Sequence, residues 1–240
     1  ESMHRWYREP PVDFPPPQFN TEYISPETHQ EVRRNWVSTV EHLDQCLGRL
    51  VERVGKRGDL DNTVVVFTSD HGEMLGDYNQ WQKLSPLQAS VGVPLVIAGP
   101  GVAAVGRDDA SMTTLDLTAS FLEWAGLIPS EDLDSRSLVS YLAGGGYRHR
   151  DVVFSGLSAW RMVFDGRFKL VRGYDPRKRI GGDVFEPMHI PPDETKRLQR
   201  DRPQILYDLE RNERDDASSA FPEVLRRLSA ALDEHLAFIV

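Results

Sequence analysis

Apolar positions along the chain follow two different periods, which predict helices in some stretches and strands in others. Between residues 27 and 54 they recur at intervals of three and four, as in an amphipathic helix, and Ser25 and Pro26 before them suit its N-terminus. Residues 63–68 and 93–98 are short runs rich in β-branched residues, and each predicts a buried strand. Helix, turn and buried strand are typical of half of a parallel α/β unit. The apolar stripe of the helix comprises Val32, Trp36, Val40, Leu43, Leu47, Leu50 and Val54.

The pattern changes along the second half of the chain. Residues 113–125 and 137–143 predict two more helices, the first with Leu115, Leu117, Phe121, Leu122 and Ala125 facing inward. Three consecutive glycines end at residue 146 and indicate a boundary between two domains, 1–146 and 147–240. Residues 1–24 and 173–204 are rich in proline or charge and predict surface loops. An antiparallel meander and a closing helix are predicted at 152–157, 160–164, 167–172, 205–209 and 222–238.

Composition narrows the classes of function. A net charge of −9 and a pI near 5.3 argue against nucleic acid as a partner, whereas a few local cations can still bind a small anion. No apolar run reaches the length that spans a bilayer, so we expect no membrane partner. The single cysteine excludes an internal disulfide framework. The sequence also lacks a G-x-S-x-G elbow, a P-loop and a Cys-x-x-Cys pair, which argues against the enzyme and zinc-ribbon classes that use them.

Asp70 and His71 are the first candidates for chemistry, because they directly follow the seven strand-like residues 63–69. In open α/β sheets ligands bind at such strand ends. The carboxylate suits calcium, magnesium or manganese, while calcium seldom takes an imidazole nitrogen. Two ligands do not hold a metal ion alone, so a site here needs carboxylates from elsewhere. The other interpretation makes Asp70 a turn cap and His71 a polar loop residue.

Lys83 lies in the loop that follows, between Trp81 and Leu84. An ammonium group held near a metal can bind a tetrahedral anion as a point charge, although a solvated surface lysine has the same sequence pattern. Glu73 and Asp77 in the same loop are either further ligands or solvated and capping carboxylates.

Four segments together resemble the C-terminal half of a sulfatase, a family of the alkaline phosphatase superfamily. The resemblance implies an α/β fold in which an alkaline phosphatase-like mixed sheet is flanked by helices, followed by a small α+β antiparallel subdomain. It covers nearly the whole chain, from the helix at 27–54 to the closing helix. The segments are DNTVVVFTSDHGEMLGDYNQWQK, SVGVPLVIAGPGV, TTLDLTASFLEWAG and ILYDLERNERD.

The resemblance also implies roles for particular residues. Asp70 and His71 match metal-binding positions of the family, and Lys83 matches the lysine that contacts the sulfate group, in a catalytic and substrate-binding role. Calcium is common in the family, but manganese or zinc tolerates an imidazole better. The family's nucleophile is a formylglycine in a Cys/Ser-x-Pro-x-Arg motif, and Cys46 is not followed by such a motif. We therefore expect the formylglycine in an N-terminal half of the same protein, and no activity from these 240 residues alone.

The expected activity of the complete protein is metal-dependent hydrolysis of a small-molecule or glycan sulfate ester. A phosphonate or phosphate ester hydrolase of the same superfamily is the first alternative, because a tetrahedral anion over a metal makes the same demands on this part of the site. A non-catalytic remnant or binding module is the second. The sequence does not identify the alcohol that carries the sulfate.

Overall fold

The computed structural model describes residues 25–104, 106–145, 148–175 and 192–239, so the loop expected at 1–24 lies outside the described residues. Its packing divides the chain into two compact units. Unit one contains the described residues up to Lys83 together with Val93–Pro100, and unit two contains Leu84–Gly92 and the described residues from Gly101 onward. The domain boundary expected after residue 146 stays a prediction. No helix among the described residues has both the length and the apolar composition needed to cross a bilayer.

Unit one begins with the predicted helix, α1, which spans Pro26–Arg57. The Ser25 hydroxyl accepts a hydrogen bond from the Thr28 amide at 3.3 Å, and Gly58 ends the helix in a left-handed conformation (φ 79°). The apolar stripe, however, is not buried within the described residues. Its exposed members are Trp36 (44%), Val40 (46%), Leu43 (49%) and Leu50 (58%).

The two predicted strands of unit one pair with each other. β1 (Val65–Thr68) and β2 (Leu95–Ala98) are antiparallel, with Val65 opposite Ala98. Every strand pair among the described residues is antiparallel. The parallel α/β unit expected from α1 and β1 stays a prediction, because its second strand would come before α1 in sequence, outside the described residues. The expected full burial is wrong, because β1 is half-buried throughout and Val96 is 59% exposed. A two-stranded sheet leaves both outer edges unpaired and cannot enclose either strand.

Unit two contains the predicted meander. Its strands are β3 (Val153–Leu157), β4 (Trp160–Phe164), β5 (Phe168–Arg172) and β6 (Ile205–Asp208), hydrogen-bonded in that order and all antiparallel. The helices are α2 (Gln88–Val91), α3 (Asp116–Trp124), α4 (Val139–Leu142), α5 (Pro192–Asp201) and α6 (Pro222–Ile239).

Helix α5 (Pro192–Asp201) shows that part of the loop predicted at 173–204 is wrong, and residues 176–191 of that prediction lie outside the described residues. Its sequence, PDETKRLQRD, contains a single apolar residue, so no apolar period could reveal it. Helix α2 and a short 3₁₀-helix at Asp77–Asn79 likewise lie in a stretch whose period fits no regular element.

The core of unit two lies between α6 and the meander. Leu228 and Leu232 are one helical turn apart and fully buried, and they face the inner side chains of β4, β5 and β6. Burial of these side chains removes apolar surface from water, which fixes the closing helix on the sheet. The remaining members of this core are Val163, Phe168, Leu170 and Leu206.

Helix α3 buries only part of the predicted face. Leu117 is buried as expected, but Leu115 and Phe121 are 46% and 51% exposed, whereas Asp116 and Ser120 are completely buried. The carboxylate of Asp116 accepts hydrogen bonds from the guanidinium of Arg150, including one from Nε at 2.8 Å, and lies 3.1 Å from Nε2 of His149. It also accepts from the Arg136 amide at 2.9 Å. Together with the buried Leu117 and Ala119, these polar contacts hold the helix in place.

The buried carboxylate links stability to pH. Burial alone raises the pKa of Asp116, but the hydrogen bonds from Arg150 and from the Arg136 amide outweigh it and hold the pKa below its ordinary value of 3.8. A carboxyl group whose pKa is lowered by folding stabilises the fold above its unfolded pKa, and this contribution is lost as the pH falls through the folded pKa. We therefore expect unit two to lose stability in acid, from about pH 4 downward.

Replacement of Asp116 tests this cluster. Asp116→Ala leaves the Arg150 charge without its partner, and we expect the free energy of unfolding to fall by about 3–5 kcal/mol. Asp151→Ala is the matched control. It removes an ion pair with Arg148 in which the Asp151 carboxylate is 88% exposed, so we expect the free energy of unfolding to fall by only about 0–1 kcal/mol. Urea denaturation at pH 7 and pH 4 measures both variants. Equal losses for the two would contradict a stabilising role of the buried cluster.

Candidate functional site

The segment after β1 folds back on itself and presents its side chains at the end of the strand. Ser69 donates a hydrogen bond from its hydroxyl to the carbonyl of His71 at 2.8 Å, and the amide of His71 donates to Asp70 at 3.0 Å. The side chain of Asp70 is 84% exposed. Slight desolvation raises the pKa of Asp70, but the charges of His71 and Lys83 and the His71 amide together lower it below its ordinary value.

His71 has a distinct partner for each ring nitrogen. Nδ1 lies 2.8 Å from the carbonyl oxygen of Gly72, and Nε2 lies 2.6 Å from Nζ of Lys83. If Nδ1 donates to the carbonyl, the lone pair of Nε2 accepts a hydrogen bond from the ammonium group. Nε2 also lies 3.5 Å from a carboxylate oxygen of Asp70. The structure thus brings together Asp70, His71 and Lys83, the three residues that the sequence singled out.

The donor set fits part of a metal site. A histidine that binds a metal usually donates its second ring N–H to a carbonyl or carboxylate, and His71 has this orientation toward Gly72. Nε2 would then be the ligating atom beside the exposed oxygens of Asp70, and Lys83 would have to leave its present position. Over the ranges that the structure describes, no three His, Cys, Asp or Glu side chains come together as ligands.

The other two loop carboxylates are engaged in the loop itself. Oε1 of Glu73 accepts hydrogen bonds from the amides of Gln82 (2.7 Å) and Leu75 (3.3 Å). Asp77 forms a largely buried ion pair with Arg33 of α1 at 2.6 Å. The contacts of Glu73 agree with its interpretation as a capping group, whereas Asp77 is not solvated and pairs with Arg33.

Sequence reasoning missed the side chains of α1 that hold this loop. Arg33 donates both to Asp77 and, at 3.2 Å, to the carbonyl of Leu75. One turn earlier, His29 stacks on Trp81 with ring centroids 5.2 Å apart. Gly76 lies beneath the imidazole of His29, where a Cβ would overlap the ring. The only available signal was the i, i+4 spacing of His29 and Arg33 beside the apolar stripe.

A cavity of about 620 Å³ lies in unit two and is lined by parts of β3, β4 and α6 and by Arg136 and Arg150. Its lining contains none of the three predicted site residues. The charge of Arg150 is already paired with Asp116. Volume alone therefore does not mark the candidate site of this chain.

Comparison with known proteins agrees with the resemblance seen in the sequence. The family model named Sulfatase matches residues 2–127, which is more than half of the chain. The chain belongs to the sulfatase family. This places it in the alkaline phosphatase superfamily.

Individual sulfatases and one solved structure show how far the similarity extends. A choline-sulfatase of Rhizobium meliloti is 35% identical over 43% of this chain and 20% of its own length. An N-acetylglucosamine-6-O-sulfatase of Bacteroides thetaiotaomicron is 31% identical over 49% of this chain and 21% of its own. The structure of a phosphonate monoester hydrolase from Silicibacter pomeroyi superposes with a TM-score of 0.70 and 25% identity, over 88% of this chain and 42% of that one.

Two conclusions follow from these comparisons. The expected α/β fold of the alkaline phosphatase type is confirmed. The chain also spans only about a fifth of these two relatives and less than half of the solved structure.

Gly76→Ala tests the packing of the loop at residues 73–83 against α1. Alanine must adopt a left-handed conformation (φ 88°) and also displace His29, so we expect the free energy of unfolding to fall by about 2–4 kcal/mol. Gly58→Ala is the control, because it has a similar φ of 79° and open space around the added Cβ, and about 1–2 kcal/mol is expected. Chemical denaturation gives both values, and a smaller loss for Gly76→Ala would contradict the packing.

Proposed function

We propose that the intact protein hydrolyses a sulfate ester at a site to which this chain contributes Asp70, His71 and Lys83. The observation that carries the proposal is the convergence of these side chains at the end of β1 in a member of the sulfatase family. Asp70 and His71 would hold a divalent cation, calcium first, with manganese or zinc favoured if the imidazole is a ligand. Lys83 would contact the sulfate group.

The roles of the side chains follow from their contacts. Asp70 offers exposed carboxylate oxygens, and His71 is oriented by its Nδ1 contact with Gly72. Lys83 would donate hydrogen bonds to sulfuryl oxygens and stabilise the charge that develops on them. A bound cation would supply further positive charge for the same oxygens and the leaving group. The nucleophile, a formylglycine, would come from outside these residues, from the N-terminal half of the same protein.

The substrate class rests on the relatives alone. The choline-sulfatase and the N-acetylglucosamine-6-O-sulfatase are named for a small-molecule and a sugar sulfate ester, respectively. We extend to this protein only what the two share, a sulfate ester of an organic alcohol. No nucleic-acid partner is proposed for a chain with a net charge of −9.

Asp70→Ala tests the proposed role of the carboxylate. In the intact protein we expect hydrolysis of para-nitrophenyl sulfate to fall about a thousandfold and bound metal to be lost, because the cation loses an anionic ligand. Asp61→Ala replaces an exposed carboxylate of unit one and should change neither quantity. Elemental analysis and steady-state kinetics measure them. Unchanged metal content and turnover in Asp70→Ala would refute the assignment.

The likeness to a phosphonate monoester hydrolase supports a second candidate function. If the site is built for sulfate esters, kcat/KM for para-nitrophenyl sulfate should exceed that for para-nitrophenyl phenylphosphonate and para-nitrophenyl phosphate. A higher value for either phosphorus ester would favour the alternative. Absence of turnover with all three would favour a binding module.

A further inference from the structure

The backbone between β1 and Lys83 contains an unusual concentration of left-handed residues. Leu75, Tyr78 and Gln82 all have positive φ angles, of 47°, 54° and 65°, although none is glycine. Such a conformation costs a side-chain-bearing residue about 1–2 kcal/mol, so the surroundings must hold it in place. Gln82 directly precedes Lys83 and therefore sets the direction in which the lysine leaves the loop.

Glu73 supplies the contact that fixes Gln82. Its Oε1 accepts the Gln82 amide at 2.7 Å and the Leu75 amide at 3.3 Å, so one oxygen joins two of the three left-handed residues. The carbonyl of Gln82 in turn accepts the Met74 amide at 2.8 Å. Both backbone groups of Gln82 are thus bound within the loop. Hydrogen bonds to a carboxylate are stronger than neutral ones, which suits a contact that must oppose backbone strain.

A second set of contacts holds the far side of the same loop. Arg33 binds Asp77 and the Leu75 carbonyl, and His29 stacks on Trp81. These contacts hold the far side of the loop on α1. The hydrogen bonds of Glu73 therefore fix Gln82 relative to a part of the loop that is itself held in place.

We infer that Glu73 is a positioning residue, which holds the left-handed turn at Gln82 and thereby directs the Lys83 side chain toward the site that Asp70 and His71 form. The inference rests on the proposed function, because it assumes that Lys83 binds the sulfate group. It differs from the other interpretation of Glu73, as a metal ligand. Glutamine can accept the same amide hydrogen bonds, but it lacks the negative charge that a cation requires.

The kinetic experiment compares Glu73→Gln with Glu73→Ala in the intact protein, with para-nitrophenyl sulfate as the probe. We expect the alanine variant to lose about tenfold or more in kcat/KM, mainly through a higher KM, at unchanged metal content. The glutamine variant should stay within about threefold of the parent. Glu52→Ala is the matched control, since Glu52 is 61% exposed and pairs only with Lys56 among the described residues, and no change is expected. Loss of metal and activity in both Glu73 variants would overturn the inference in favour of ligation.

A double-mutant cycle separates positioning from general destabilisation. If Glu73 acts through Lys83, Glu73→Ala should add almost nothing to the loss in Lys83→Ala, whereas a merely structural role multiplies the two losses. Full activity of Lys83→Ala would refute the proposed role of Lys83 and with it the inference. A loss in Lys83→Ala alone, with Glu73→Ala fully active, would overturn the inference and leave the proposed function standing.

Hydrogen exchange gives a readout that needs no turnover. The amide of Gln82 should exchange slowly in the parent and in Glu73→Gln, and about tenfold or more faster in Glu73→Ala. Unchanged protection in the alanine variant would contradict the role of Glu73.

Discussion

The ammonium group of Lys169 is a constraint on which much of unit two depends. It is completely buried on β5, and burial lowers its pKa despite the opposing charge of Glu213. Its donors reach the carbonyl of Pro86 at 3.0 Å, the side chain of Gln88 at 3.1 Å and the carboxylate of Glu213 at 2.6 Å. A buried cation is tolerated only when it is paired and hydrogen-bonded in this way. Three segments far apart in sequence are therefore fixed around one side chain, among them the segment that follows Lys83 in the chain.

The sequence predicted those elements whose period records one buried face. The closing helix shows this best, because its apolar residues recur at intervals of three and four and are buried against the sheet. Helix α1 has the same period, and the meander strands are short apolar runs, so these elements too were predicted. The period does not say what covers an apolar face, so the exposed stripe of α1 and the half-buried β1 were not foreseen. Helix α3 was predicted, but part of its inward face was wrong for another reason. Its orientation depends on Asp116, and an apolar pattern assigns a carboxylate to the surface.

The features of the candidate site also divide into those that the sequence could predict and those that it could not. Asp70 and His71 were predictable because they follow a strand directly, and local sequence is enough to place them. The approach of Lys83 to His71 was not predictable from a separation of twelve residues. It depends on left-handed turns at residues other than glycine, which leave no mark in composition, and on Glu73, which looks like any solvated loop carboxylate. The family resemblance supplied what spacing could not.

The exposed apolar stripe on α1 also bears on the self-association of the chain in solution. A helix of 32 residues carries large apolar side chains that are about half exposed, which favours contact between copies. The net charge of −9 opposes that contact by mutual repulsion. Added salt shortens the range of this repulsion but leaves the apolar attraction in place. We therefore expect added salt to promote contact between copies of these 240 residues at a given protein concentration.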